Sequence, residues 1–188
     1  MIILSVMFAT VFTACSHKRS EADAARKAEV LPADPTKYGT VKTISAESVT
    51  LSDENGNDIT LALSSDLKAG IDAGCTFEPG DTIAYMAGGN GEMVSAVNLN
   101  NLYGLWLSES GDGNGIRIEK ENVASTVGVA DYTIRGWRMD KGRLMFANIP
   151  SDGSDYEEHE DIVGITVLNR DKFVFFFKGD TIVCNRQE

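Results

Sequence analysis

The sequence has 188 residues, of which 43% are hydrophobic and 24% charged, a composition typical of globular domains that can bury a core. Its formal net charge is −11, and residues 1–14 contain no ionisable side chain, so their removal leaves that charge unchanged. A surface this acidic repels phosphate backbones, and nucleic acid is therefore excluded as an expected partner.

The chain begins with an apolar run, MIILSVMFATVFTACS, that is too short for a stable membrane-spanning anchor and ends in small residues before Cys15. This layout predicts an export signal over residues 1–14. The stretch Phe12-Thr13-Ala14-Cys15 resembles the lipobox of bacterial lipoproteins, with phenylalanine where leucine is usual. The resemblance implies cleavage before Cys15 and a lipid on its thiol. The alternative is an ordinary cleaved signal that leaves Cys15 as a free thiol.

Residues 15–37 are polar and alanine-rich, and they contain Pro32 and Pro35, which suits a flexible tether. Two or more acyl chains on Cys15 would hold the protein firmly on a membrane, since each buried CH2 contributes about 0.8 kcal/mol. Serine follows the cysteine, whereas the best-known signal that retains lipoproteins in the inner membrane has aspartate at that position. We therefore expect an outer-membrane lipoprotein that faces the periplasm or the cell surface.

From Tyr38 the sequence alternates with period two, which predicts β-strands. The stretch DENGND, with Asn55-Gly56 at its centre, predicts a hairpin, and GGNG joins two further strands; only Ser64–Ala73 suggests a helical turn. Residues 38–100 are thus predicted to form a small all-β module that is OB-like. Binding of single-stranded nucleic acid needs a basic groove with stacking aromatics, so this acidic module is interpreted as a scaffold.

Residues 101–188 contain eight further strand candidates separated by turn sequences such as SGDGNG, DKG and KGD. Eight short consecutive strands with tight connections predict an up-and-down antiparallel barrel, which removes exposed edges by closing on itself. The second module starts almost without a linker, so we expect the two modules to pack rigidly. The candidate strands are 102–107, 115–120, 122–128, 132–139, 143–149, 160–168, 172–178 and 180–186.

The first of these strands carries Gly104 and Trp106 in the stretch NLYGLW. On an eight-stranded meander this pair resembles the G-x-W signature of lipocalins and of the wider calycin superfamily. With DYTIRGWRMDKGRLMF and DKFVFFFKGD, residues 101–188 resemble the lipocalin-like domain of lipoproteins from gut-dwelling Gram-negative anaerobes. The resemblance implies that Trp106 plugs the closed end, that Gly104 allows close backbone approach and that Arg186 stacks over the indole.

An eight-stranded barrel is just wide enough to be filled by side chains or to hold one small ligand. Short strands without a long lid loop favour a filled interior; if a ligand is held, the side chains expected to line it are Trp137, Phe146, Phe173 and Phe175. Strand parity places Trp137 and Met139 on one face and Tyr132, Ile134 and Gly136 on the other.

The strand 172–178 is apolar on both faces, with Phe173, Phe175 and Phe177 opposite Val174 and Phe176. Since an isolated barrel should have a wet outer face, we expect Val174 and Phe176 to be covered by the first module.

Other candidate sites are weaker. DYEEHEDI at 155–162 contains His159 among five acids, but adjacent carboxylates on a strand alternate in direction, so we expect a solvated acidic loop and neither a metal site nor a cofactor. DENGND lacks the distal glutamate of a calcium loop. No serine or cysteine has a plausible histidine base, so no catalytic residue is assigned. Cys75 and Cys184 allow a disulfide, although the parity of Cys184 favours a single buried thiol.

The sequence therefore favours a non-enzymatic, membrane-anchored lipoprotein whose lipocalin-like domain binds a small apolar ligand or an envelope protein. Two alternatives remain open at this point. One is a lipoprotein that senses envelope stress or acts as a scaffold, and the other is an inhibitor of a hydrolase such as lysozyme, because acidic loops on a small barrel suit a basic active-site cleft. One barrel fold hosts many activities, so the fold does not rank these alternatives.

Overall fold

A computed structural model of the chain describes residues 33–187. The predicted export signal, Cys15 and most of the predicted tether therefore lie outside the described residues. Residues Asp34–Glu188 cluster as one compact unit that includes both predicted β modules. Its elements in chain order are β1 (Lys37–Ile44), β2 (Ser48–Asp53), β3 (Asp58–Leu63), α1 (Ser65–Asp72), β4 (Thr82–Ala87), β5 (Glu92–Asn98), α2 (Leu99–Leu102), β6 (Gly104–Ser108), β7 (Gly115–Ile118), β8 (Ala124–Val127), β9 (Tyr132–Asp140), β10 (Arg143–Pro150), β11 (His159–Ile162), β12 (Gly164–Leu168), β13 (Lys172–Phe177) and β14 (Asp180–Gln187).

The first module is a closed five-stranded barrel with the strand order β1-β2-β3-β5-β4. Strand β4 returns to pair with β1 in antiparallel fashion, and β3 pairs with β5 in parallel across the crossover through α1. This is the arrangement of an OB-fold, so the all-β, OB-like prediction is confirmed. The DENGND hairpin forms as expected, with Gly56 at φ +80° and the Asp53 carboxylate accepting hydrogen bonds from the amides of Asn55 and Asn57.

The second module is an antiparallel meander built from a six-stranded sheet, β12-β13-β14-β6-β7-β8, and a three-stranded sheet, β11-β10-β9. The last strand, β14, pairs with the first, β6, as up-and-down order requires. The segment from β11 to β12 corresponds to one predicted strand, interrupted at Val163, whose amide donates to the Leu144 carbonyl (2.9 Å). The all-β meander is therefore as predicted.

The cylinder is not one continuous hydrogen-bonded ladder, because the two sheets meet at two seams. At the first seam, the Thr126 hydroxyl of β8 donates to the Tyr132 carbonyl (3.1 Å) and accepts from the Ile134 amide (2.7 Å) of β9. At the second, the break at Val163 lets one segment pair with β10 on one side and with β13 on the other. A side chain and a kink thus replace ladder hydrogen bonds at the seams.

The predicted parity of β9 is wrong for its first half. Ala147 of β10 pairs with Gly136, whereas the next residue, Asn148, pairs with Ile134, so Arg135 is the extra residue of a β-bulge. An extra residue shifts the alternation by one position. As a result Ile134 is buried together with Trp137, although simple alternation assigns them to opposite faces.

The prediction that the first module covers Val174 and Phe176 is also wrong. Phe176 keeps 50% of its surface exposed, and Val174 is only half-buried. Phe173, Phe175 and Phe177 are all buried, which shows that the inward face of β13 was assigned correctly. A single exposed phenylalanine is common on protein surfaces, so the outer face of the strand needs no covering element.

The first module instead packs at the short α2 connection. Asn98 and Asn101 are buried there, and both side-chain amides donate to the Thr76 carbonyl (2.9 and 3.2 Å). The Thr76 amide donates in turn to the carbonyl of Leu168 in the second module (3.1 Å). Buried amides that are hydrogen-bonded at a junction fix the relative orientation of its two sides.

Within residues 33–187, no helix combines the length and the apolar character needed to span a bilayer.

Candidate ligand cavity

One end of the second module is closed around Trp106, which is fully buried. Its indole Nε1 donates to the Leu102 carbonyl (2.8 Å), so the polar atom of the plug is satisfied. The Arg186 guanidinium lies over the ring with its Cζ 4.3 Å from the ring centroid, a cation–π contact. Arg186 also donates to the carbonyls of Asn101 (2.6 Å), Tyr103 and Arg170. One side chain thus ties β14, the α2 turn and the loop before β13 to the plug.

Gly104 makes this arrangement possible. Its φ of +149° is one that residues with a side chain rarely adopt, and a Cβ there would collide with Nη1 of Arg186. The guanidinium cannot withdraw freely, because its three carbonyl partners and the Trp106 ring hold it in place. Glycine, tryptophan and arginine therefore act as one unit at the closed end.

Above the plug the barrel is filled by aromatic side chains. Phe173 packs against Trp106 (ring centroids 5.6 Å apart) and stacks on Phe175 (4.4 Å). Trp137 is also buried, and its Nε1 donates to the Glu119 carbonyl (2.8 Å). The lower half of the interior is therefore packed with side chains.

The upper half contains an open cavity of about 280 Å³. Its walls are mainly apolar, and its mouth lies where β6, β9 and β14 meet their loops. A volume of this size corresponds to about nine groups the size of a water molecule. The lining residues are Ser108, Asn114, Gly115, Ile116, Thr126, Val129, Ala130, Asp131, Tyr132, Ile134, Phe146, Phe175, Phe177, Asp180, Ile182 and Cys184.

The expectation of a filled interior is thus wrong for the upper half of the barrel. All four predicted lining residues belong to the buried core of the second module, and of these Phe146 and Phe175 form the floor of the cavity, whereas Trp137 and Phe173 do not line it. Phe146 and Phe175 meet edge to face with their ring centroids 6.0 Å apart, so they form the boundary between the filled and open halves.

Several lining residues were missed by the sequence interpretation. Ile182 and Cys184 alternate with Arg186 on β14, and this shared parity is the signal that could have placed both of them among the lining residues. Ile134 and Tyr132 were assigned to the face opposite Trp137, because alternation along the sequence does not reveal the bulge at Arg135.

Within residues 33–187, six side chains of the lining carry a hydroxyl, amide or carboxylate group, and three of them, Ser108, Asn114 and Thr126, make internal hydrogen bonds. The Asn114 side-chain oxygen accepts from the Val129 amide (2.7 Å), and the Ser108 hydroxyl pairs with that of Ser110 (2.8 Å). Thr126 bridges to β9, as described above. The two carboxylates, Asp131 and Asp180, are exposed and make no ion pair with any residue in the range 33–187.

Cys184 forms part of the cavity floor and is 1% exposed. Burial raises the pKa of its thiol to about 11, so the thiol is protonated and neutral at pH 7. Cys75 and Cys184 are both free, and the disulfide that the sequence left open does not form. Cys75 lies instead at the module junction, with its Sγ 3.8 Å from the Thr166 carbonyl oxygen.

The acidic stretch 155–162 forms no cation site in the described part of the chain, where no group of three or more metal-ligating side chains comes together. His159 Nε2 pairs with Asp155 Oδ2 (2.7 Å), and Arg138 engages both oxygens of Glu160 (2.8 and 2.7 Å). These contacts lie at the surface, where ion pairs contribute little to the stability of the fold.

A second cavity, of about 220 Å³, lies between the two modules. Its walls come from α1, β5 and the β9–β10 turn, and the buried Ser95 hydroxyl beside Gly142 lacks a hydrogen-bond partner within residues 33–187. It is smaller than the barrel cavity and has no aromatic wall, so the barrel cavity is the better candidate for a ligand.

Comparison with solved structures finds a similarity to a lipocalin-like protein from Bacteroides thetaiotaomicron VPI-5482, whose crystal structure was determined at 1.95 Å. The two chains are 24% identical, with a TM-score of 0.38, and the match covers 46% of this chain and 97% of that one. No family model and no curated protein matches the sequence.

Proposed function

We propose that this chain is a non-enzymatic, membrane-anchored lipoprotein of the cell envelope that holds a small apolar ligand in the cavity of its second barrel. The observation that carries the proposal is the open cavity of about 280 Å³ above the Trp106 plug, whose indole N–H is hydrogen-bonded to the Leu102 carbonyl. Apolar cavities of this kind are the usual sites of small-molecule binding, and the packed layer beneath supplies a pre-formed floor.

The volume of the cavity limits the ligand. Room for about nine water-sized groups suits a single alkyl chain of roughly that many carbons or one or two small rings. Each methylene transferred from water contributes about 0.8 kcal/mol, or about fourfold in affinity, until the cavity is full.

The described start of the chain suits an anchored binding protein. The Asp34 carboxylate accepts from the Lys141 amide (2.8 Å), and the Thr36 hydroxyl accepts from the Gly142 amide (2.8 Å). Lys141 and Gly142 form the turn between β9 and β10, at the opposite end of β9 from Tyr132, which lines the cavity. A tether from a lipid on Cys15 would therefore join the folded part of the chain at the closed end of the barrel. The cavity mouth, at the other end, would then be free to face away from the membrane.

A calorimetric titration with neutral n-alkanols from hexanol to dodecanol tests the proposal. We expect the dissociation constant to fall about fourfold for each added methylene and to level off near nine carbons, because longer chains leave the cavity. Absence of binding across the whole series would overturn the proposed function.

A pair of variants on β14 supplies the control. Ile182→Trp places a large side chain inside the cavity, whereas Thr181→Trp adds the same side chain to the exposed outer face. We expect Ile182→Trp to abolish alkanol binding and Thr181→Trp to preserve it. Equal binding by the two variants would mean that the alkanols bind elsewhere.

A further inference from the structure

The charged groups at the cavity mouth are all of one sign. Asp131 immediately precedes β9 and Asp180 is the first residue of β14, so the two carboxylates reach the mouth from different parts of the chain. Among residues 33–187, no Lys, Arg or His lines the cavity. A ligand head group at the mouth therefore meets negative charge alone.

The neighbouring groups do not offset this charge. Lys178, whose Nζ lies 5.3 Å from the Tyr132 ring centroid, forms an ion pair with Asp161. The Asp161 carboxylate also accepts from the buried side-chain amide of Asn148 (3.0 Å), which fixes the pair against the wall of the barrel. The ammonium over the Tyr132 wall is thus already neutralised.

The floor of the cavity adds no opposite charge. Cys184 is buried there without a hydrogen-bond partner among residues 33–187, and its thiol is neutral at pH 7. Phe146, Phe175 and Ile182 complete an apolar lower surface. The cavity therefore has an apolar interior for a hydrocarbon tail and an anionic rim for whatever is attached to that tail.

We propose that the cavity selects amphiphiles with a positively charged head group, such as a protonated amine on a short hydrocarbon tail. This inference rests on the proposed function, because it assigns a head-group preference to the same site. Ser108, Asn114, Thr126 and Tyr132 carry no charge, so Asp131 and Asp180 are the groups of the lining that distinguish a cationic head group from an anionic one. A carboxylate head would be repelled by both.

The test compares three probes with the same nine-carbon tail: nonylamine, nonanol and nonanoate, titrated calorimetrically at pH 7 in 0.15 M salt. We expect nonylamine to bind about tenfold more tightly than nonanol and nonanoate about tenfold more weakly than nonanol. Each exposed carboxylate attracts the ammonium or repels the carboxylate of the probe, and water and salt screen that interaction. Nonanoate binding as tightly as nonylamine would overturn the inference while leaving the proposed function standing. Failure of nonanol to bind would overturn both.

The double variant Asp131→Asn/Asp180→Asn identifies the groups responsible. We expect the ratio of nonylamine affinity to nonanol affinity to fall from about tenfold to nearly one in this variant. The control, Glu54→Gln/Asp72→Asn, makes the same change in net charge on the first module, where both side chains are exposed. If the control variant loses the preference as well, the overall charge of −11 is responsible rather than the rim, and the inference is wrong.

Discussion

Replacing Gly104 with alanine tests the closed end of the second barrel. The new Cβ would collide with Nη1 of Arg186, and the backbone would have to keep a φ of +149° with a side chain present. Relief of the collision requires Arg186 to leave the Trp106 ring and to give up at least one carbonyl partner. Gly104→Ala should therefore destabilise the fold through Arg186 and not only through its own backbone.

The magnitude follows from the contacts at stake. A charge-assisted hydrogen bond contributes about 1.5–3 kcal/mol and a partly desolvated cation–π contact about 1–2 kcal/mol, so displacement of Arg186 should cost about 3 kcal/mol. For a domain of this size, that lowers the melting temperature by about 6–12 °C. Gly179→Ala is the matched control, because Gly179 has a φ of +102° and a Cβ added there would meet no atom within 4 Å, so this variant reports the backbone cost alone.

A double-mutant cycle with Arg186→Met, followed by urea denaturation, separates the two causes. Once the guanidinium is gone, Gly104→Ala should cost no more than Gly179→Ala. If Gly104→Ala costs the same in both backgrounds, Arg186 does not mediate the effect, and the description of glycine, tryptophan and arginine as one unit is refuted.

Three further results are expected. Phe173→Ala should lower the free energy of unfolding by about 3–5 kcal/mol and Phe176→Ala by under about 1 kcal/mol, because only Phe173 is fully buried; similar losses in urea denaturation would contradict the inward face of β13. Burial raises the pKa of Asp34, but hydrogen bonds from Lys141 and Thr36 outweigh it and hold the pKa below its ordinary value of 3.8. Since the carboxylate form makes the contact, the contact is present above pH 3.8 and is lost as the pH falls through the lowered pKa of the folded state. Hydrogen exchange should show the protection factor of the Lys141 amide decreasing as the pH falls through that lowered pKa. Unchanged protection would argue against the contact. Cys184 should react with a charged maleimide at pH 8 only after unfolding, as mass spectrometry would show, and rapid labelling of the native protein would contradict its burial.

Much of the fold was accessible from the sequence because its signals are local. Asn55-Gly56 marks a hairpin wherever it occurs between alternating strands, and its turn forms as expected. Alternation along β13 correctly placed Phe173 and Phe175 inside. The stacking of Arg186 on Trp106 was expected from a resemblance, and the ring and the guanidinium do lie 4.3 Å apart.

The candidate site was less accessible, because it depends on events that leave no local pattern. The bulge at Arg135 reverses the parity of half a strand and brings Ile134 into the lumen. The break at Val163 divides one predicted strand between two sheets. How far the aromatic side chains fill the interior is decided by their three-dimensional packing, so the sequence alone could not show that filling stops at Phe146.

Crystals pressurised with xenon test the central claim most directly, because empty apolar cavities take up xenon whereas filled cores do not. We expect one or more xenon atoms beside Phe146, Phe175 and Ile182, and none in crystals of Ile182→Trp. A barrel that binds no xenon because side chains occupy that space would contradict the cavity and, with it, the proposed function.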